Sequence, residues 1–227
     1  MARNMQPVIL SWSGGKDSAL ALHALRQQGE YEVRGLLTSV NDHYGRISMH
    51  GVREQLLDAQ ADAIGLPLYK IRLPERPSNA EYERQMASAL ESLRTDGIRH
   101  VAFGDLFLED IRQYRLDNLR KAKMEAVFPL WQRNTATLAR EFIALGFKAI
   151  LCCVDGERLS ADFAGRAYDD ALLNDLPKDV DPCGENGEFH SFVHDGPEFR
   201  RALPLRIGAR VTREQRFHFC DLLATEE

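Results

Sequence analysis

Apolar and polar positions alternate in blocks along the first half of the chain. Val8-Ile9-Leu10-Ser11-Trp12 is a short apolar run of the kind a buried strand needs. It is followed by a helical period over Asp17 to Gln28, with Ala19, Leu20, Leu22 and Leu25 apolar and Gly29 as its stop. The same alternation repeats. Tyr31 to Val40 reads as a strand, Gly51 to Ile64 as a helix ended by Gly65, and Leu68 to Leu73 as a third strand. Ser78 opens the next helix, with Glu81 three residues on as a capping box, and that helix runs to about Thr95 before Gly97. Val101-Ala102-Phe103-Gly104 reads as a fourth strand, and Asp110 to Glu125 as a helix.

Strands alternating with helices predict a parallel sheet covered on both faces. Ligands of such sheets sit beyond the C-terminal strand ends, near a reversal of strand order. Three polar clusters fall there: Ser13 to Ser18, Thr38 to His50, and Gly104 to Arg115. Beyond Pro129 the texture changes. A helix is expected from Thr137 to Leu145 and a buried strand from Phe147 to Val154. A Gly-, Asp- and Pro-dense segment follows from Asp155 to Pro197, and then strands of alternating polarity from Ala202 to Leu223. A boundary near Phe128 divides residues 1–128 from a smaller α+β part, residues 129–227.

The first of the polar clusters carries the clearest chemistry. In Ser13-Gly14-Gly15-Lys16-Asp17-Ser18 two glycines permit a sharp turn, and the helix behind offers free N–H groups and its positive dipole end to an anion. Lys16 adds a positive charge, Ser13 and Ser18 add hydroxyls, and Asp17 can hold magnesium. The kinase and ATPase phosphate loop is excluded, because Leu10 stands where it needs glycine and Asp17 where it needs Ser or Thr. The dinucleotide fingerprint G-x-G-x-x-G is absent. A Gly-Gly pair alone would be a plain turn; six positions in a strand–loop–helix setting favour a phosphate site.

A second constellation is Asp181-Pro182-Cys183-Gly184-Glu185-Asn186-Gly187-Glu188-Phe189-His190-Ser191-Phe192. Glu and His can exchange protons near neutral pH, and Asn can orient a polar substrate. An exposed acidic turn is the bland alternative, and the glycines fit either. Crowded titratable groups running into Phe189 and Phe192 favour a site.

Composition narrows the field. Of 227 residues, 44% are hydrophobic and 28% charged, enough for a full core without staples. The net charge of −5 argues against a broad nucleic-acid or membrane surface. Met1 to Gln6 holds no apolar run, no stretch is long enough to span a membrane, and no CxxC pair occurs among Cys152, Cys153, Cys183 and Cys220. A reducing cytoplasm fits this usage, and nothing decides for or against a homodimer.

The Ser13–Ser18 loop resembles the S-G-G-x-D-S signature of the PP-loop ATP pyrophosphatases, the adenine nucleotide alpha hydrolases. Together with Gly184-Glu185-Asn186-Gly187-Glu188-Phe189-His190, the chain resembles the diphthine–ammonia ligase family within them. Further matches are Met49-His50, Gly104-Asp105, Arg115 and Pro129-Leu130-Trp131, over nearly the whole of Val8 to Leu205. The approach to Arg115 departs from the family's Tyr-Gln-Arg, reading Asp110-Ile111-Arg112-Gln113-Tyr114-Arg115.

The resemblance implies a Rossmann-like PP-loop/HUP sheet and cleavage of ATP to AMP and pyrophosphate with Mg2+. It implies an adenylated carboxylate, on a protein or a small molecule, that ammonium then amidates; in the family the carboxylate is that of diphthine, a modified histidine of a translation elongation factor. The nucleotide set becomes Ser11, Ser13, Gly14, Gly15, Lys16, Asp17, Ser18, Thr38, His50, Gly104 and Asp105, with Asp17 and Asp105 for the metal. Arg115, Glu185, Asn186, Glu188 and His190 would meet the substrate, and Lys16, Glu185, Glu188 and His190 would carry catalysis. Two rival readings stay open. One is a PP-loop sulfur transferase acting on RNA, for which Cys183 would be the reactive thiol. The other is an ATP-binding sensor without catalysis.

Overall fold

The computed structural model describes residues 5–47 and 51–225. Strand β1 (Gln6–Ser11) feeds helix α1 (Lys16–Gln28), and β2 (Tyr31–Asn41) pairs with β1 in parallel. A short β3 (Arg46–Ile47) folds back on the end of β2, followed by α2 (Glu54–Ile64), β4 (Leu68–Leu73), α3 (Asn79–Thr95), β5 (His100–Ala102), α4 (Glu109–Lys121) and β6 (Glu125–Val127). Strands β2, β1, β5 and β6 lie side by side, and β4 pairs in parallel with β2. The order therefore reverses at β1, whose neighbours are β2 and β5. That reversal opens a crevice at the C-terminal end of β1.

The apolar run of β1 has a direct cause. Val8 and Leu10 enter one core cluster and Ile9 the other, because successive side chains of a strand point to opposite faces and both faces are covered. The chain stops expected from the sequence are present. Gly29 and Gly65 take φ of 65° and 78°, and Ser78 Oγ accepts the Glu81 N–H at 3.2 Å.

The second sheet is antiparallel, in the order β8 (Phe189–Asp195), β7 (Lys148–Asp155), β10 (Phe217–Ala224), β9 (Leu205–Arg213). Helices α5 (Thr135–Ala144) and α6 (Asp170–Asp175) complete this part. Its apolar residues Phe142, Leu151, Phe192 and Leu222 share one continuous core with Leu20, Leu22 and Leu57 of α1 and α2. Polar ties reinforce the junction: Glu198 accepts from His23 at 2.7 Å and from Arg26, and Asp221 holds Arg46 at 2.9 Å and Arg53 at 2.6 Å.

Two expectations change. The helix expected to reach Glu125 ends at Lys121, Lys123 takes a φ of 56°, and Glu125–Val127 joins the sheet beside β5. Strand β8 lies inside the segment expected to be irregular, because Phe189, Ser191, Phe192 and Val193 are all buried and no alternation advertises it. The polar loop after β2 is a hairpin, with Asn41 Oδ1 accepting from the N–H of His43 and Tyr44 and with Tyr44 donating to Glu75 at 2.6 Å. Ser48 to His50 lie outside the described residues.

Candidate functional site

A cavity of about 570 Å³ opens at the reversal point, between the ends of β1, β2 and β5 and the turn that precedes β8. Of the residues expected from the sequence, it is lined by Ser11, Ser13, Gly15, Lys16, Asp17, Ser18, Thr38, Gly104, Asp105, Arg115, Glu185, Asn186 and His190. Deeper in, Leu37, Ile71, Met86, Leu90, Val101 and Phe103 make an apolar chamber beneath α3 and α4. Two expected residues do not reach the cavity wall, Gly14 and Glu188, and His50 lies outside the described residues.

The Ser13–Ser18 loop is held from several sides. Gly14 takes a φ of 78°, which only glycine adopts at little cost. Ser18 Oγ donates to Gly15 O at 2.8 Å, and Ser13 Oγ accepts from Gly15 N at 3.3 Å. The first N–H of α1, on Lys16, has no cap from its own loop; Ser191 Oγ of β8 accepts it at 3.2 Å. Gly104 is needed for close approach, since a Cβ there would stand 2.8 Å from Asp17 O.

Lys16 Nζ sits 2.7 and 2.8 Å from the two oxygens of Asp17, with 3% of its side chain exposed. Burial pulls the Lys16 ammonium down, but Asp17, then Cys183 and Glu185, outweigh it and hold it raised and charged. Burial pushes the Asp17 carboxyl up, and Lys16 pulls against it. Asp105 is likewise raised by burial, opposed by Arg115, whose Nε lies 3.5 Å away and whose guanidinium stacks 4.7 Å from the Phe103 ring. Two carboxylates thus face one cavity with incomplete compensation, a donor set suited to Mg2+ shared with phosphate oxygens. Among the described residues no cluster of three or more His, Cys, Asp or Glu could cage a metal by itself.

The turn before β8 faces this loop. Gly184 and Gly187 take φ of 68° and 86°, and a Cβ on Gly184 would meet Phe189 O at 2.8 Å. Glu185 points to the cavity and its Oε1 accepts the Leu106 N–H at 2.8 Å. Burial pushes its carboxyl up to about 7, aided by Asp17 and Asp105 and opposed by the Leu106 bond and Lys16. Burial lowers His190 to about 4, so its imidazole is neutral at neutral pH.

Glu188 is placed differently from the expectation that it meets substrate. It is fully buried, its Oε1 accepts from Asp181 N and Asn186 Nδ2 at 3.0 Å, and its Oε2 accepts from Asn186 N at 3.0 Å. Its chemistry is spent on shaping the turn that presents Glu185. Sequence reading also passed over Gln60 and Ser191. Each left a faint signal, Gln60 as a polar residue in the stripe Leu56, Leu57, Ala61, Ile64, and Ser191 between Phe189 and Phe192.

The diphthamide synthase N-terminal domain model matches residues 5–123, and the diphthamide synthase C-terminal domain model matches residues 134–222. The chain belongs to the diphthamide synthase family. Among its curated relatives, diphthine–ammonia ligase of Rattus norvegicus is 29% identical over 213 residues, covering 84% of this chain and 79% of the relative. The protein of the same name from Danio rerio is 27% identical over 215 residues, covering 84% and 83%. That from Mus musculus is 29% identical over 213 residues, covering 84% and 79%. Both family models contribute to the site: the N-terminal one spans the Ser13–Ser18 loop, and the C-terminal one spans Gly184 to Ser191.

Proposed function

We propose that this chain is an ATP-dependent ligase that forms AMP and pyrophosphate while joining ammonia to a carboxylate. One observation carries the reading: a helix N-terminus with Lys16 and Asp17 faces, across a single cavity, a carboxyl whose pKa of about 7 suits proton transfer. The relatives' name, diphthine–ammonia ligase, supports the same nucleophile and makes a diphthine-type carboxylate the first acceptor to assay.

In this mechanism a carboxylate oxygen attacks the α-phosphorus of ATP and pyrophosphate leaves on the Ser13–Ser18 loop, with its charge met by Lys16 and the Gly15 N–H. Asp17 and Asp105 would hold Mg2+, which spreads charge on the leaving group when bound. Ammonia then attacks the acyl carbon, AMP leaves, and Glu185 takes the proton that ammonium must lose. Arg115 and Asn186 orient the acceptor, and neutral His190 offers a hydrogen bond rather than a charge. Thr38 and the apolar chamber receive the nucleoside. Among the described residues no helix is long and apolar enough to cross a membrane. Product analysis tests the reading. AMP and pyrophosphate are expected with a diphthine-type acceptor and ammonium; ADP and phosphate, or ATP binding without turnover, would overturn it.

The Glu185 assignment predicts a pH profile. At saturating ammonium, kcat should rise through an inflection near pH 7, and Glu185→Gln should lower it by about 10²-fold or more and flatten that limb. The stability sign runs the other way. A carboxyl raised in the fold is easiest to bury protonated, so its unfavourable contribution is absent below the unfolded value and grows as pH rises towards 7. Thermal melts should therefore show Glu185→Gln gaining on the parent as pH rises from 4.5 to about 7 and holding that gain above it.

Sulfur transfer finds little support in the site. Cys183 is 1% exposed, its thiol donates to Thr135 O at 3.3 Å, and burial pushes it up to about 12. Cys183→Ser should leave ATP-dependent turnover within a few-fold of the parent; complete loss in a folded variant would revive the thiol's candidacy.

A further inference from the structure

Gln60 is the one polar side chain on the buried face of α2, and it has no exposed surface. Both of its donors and one of its two acceptor positions are used. Its Oε1 accepts from Trp12 Nε1 at 2.9 Å, and its Nε2 donates to Gly14 O at 3.0 Å and to Val193 O at 2.6 Å. Gly14 O also accepts the Val193 N–H at 2.9 Å. The Gly14 carbonyl is thus pulled away from the cavity by two donors, one from α2 and one from β8.

A trans peptide directs its N–H opposite to its C=O. No cis peptide occurs among the described residues, so the Gly15 N–H is turned to the side away from Gln60, where it makes a long 3.3 Å bond to Ser13 Oγ, itself on the cavity wall, that an anion can share or replace. Gly15 lines the cavity and Gly14 does not. We propose that Gln60 is a positioning residue for phosphate binding: it fixes the orientation of the Gly14–Gly15 peptide so that the Gly15 N–H, not the Gly14 carbonyl, faces the anion. Glycine on both sides makes this peptide easy to flip, and a flipped carbonyl would present negative charge to phosphate. An amide fits the position where neither an acid nor an apolar residue would, since it must accept from one neighbour and donate to two. The inference rests on the proposal that the loop holds the phosphates of ATP.

Inorganic pyrophosphate with Mg2+ is the probe, with adenosine as the control ligand, and both affinities are read by calorimetry beside a thermal melt. In Gln60→Glu the carboxylate keeps the Trp12 bond but faces two carbonyl oxygens without a proton. Its pyrophosphate affinity should fall by about tenfold or more at pH 8 while adenosine binding holds. As pH falls, the protonated side chain regains one donor, so the ratio of variant to parent affinity should recover. A purely structural role would produce no such recovery. Gln60→Leu, which has no donor at any pH, should show the loss without recovery. Unchanged pyrophosphate affinity in folded Gln60→Glu, or equal loss for adenosine, overturns the positioning role while leaving the ligase reading intact. Failure of the parent itself to bind pyrophosphate overturns both.

Discussion

Replacing Lys16 by Met is expected to slow pyrophosphate release by about 10²–10³-fold with the fold retained, the range for losing one preorganised charge donor at a developing anion. The side chain is 3% exposed and its ammonium is paired with Asp17 at 2.7 Å, so in the free protein it serves to neutralise a neighbour. During the reaction the negative charge it meets would be on the leaving pyrophosphate. Methionine fills much of the same volume, so the substitution removes charge more than packing. It also leaves the Asp17 carboxylate uncompensated beside the phosphates, which should raise the KM for ATP. A double variant, Lys16→Met with Asp17→Asn, separates the two effects: removing the stranded charge should restore much of the nucleotide affinity but little of kcat. Steady-state pyrophosphate release, measured beside a thermal melt, checks both. A Lys16→Met variant with near-parental kcat would show that the ammonium contributes nothing to the chemical step.

Local signals made much of the fold legible. The continuous run Val8-Ile9-Leu10, the glycine stops at Gly29 and Gly65 and the Ser78 cap each depend on neighbours within a few residues, and each is where the pattern put it. The strand–loop–helix form of Ser13 to Ser18 was legible for the same reason, since strand, glycines and helix start are contiguous. Strand β6 was not, because three residues carry too little period to outweigh the helical run before them. Strand β8 was hidden because it is buried on both faces and sits among turn-forming residues. The roles of Glu185 and Glu188 were beyond sequence altogether. They are chemically alike and three residues apart, and only the fold decides that one opens on the cavity while the other is enclosed by three N–H groups. Gln60 and Ser191 act on the loop from 46 and 175 residues away, distances at which no local pattern reports.

Glu188→Ala should therefore damage the enzyme as severely as a change in the cavity wall, although Glu188 touches no ligand. The substitution takes the shared acceptor from Asp181 N, Asn186 N and Asn186 Nδ2 and leaves a void where the fully buried carboxylate was. The expected loss of stability is about 1–3 kcal/mol, the scale for leaving hydrogen-bond donors without their acceptor. Glu188→Gln keeps the shape and one acceptor oxygen but turns an NH2 group towards N–H donors, so an intermediate loss is expected. Urea unfolding gives both values. The functional consequence is more specific than lost stability. Glu185 has its raised carboxyl because the turn buries it, with Asp17 and Asp105 adding to the shift against the Leu106 bond and Lys16. If Glu188 shapes that turn, the folded Glu188→Gln variant should move the pH inflection of kcat from near 7 towards the ordinary carboxylate range as Glu185 gains access to water. An inflection that stays near 7 while stability falls would mean that the turn keeps its form without Glu188, and that the buried carboxylate serves the core alone.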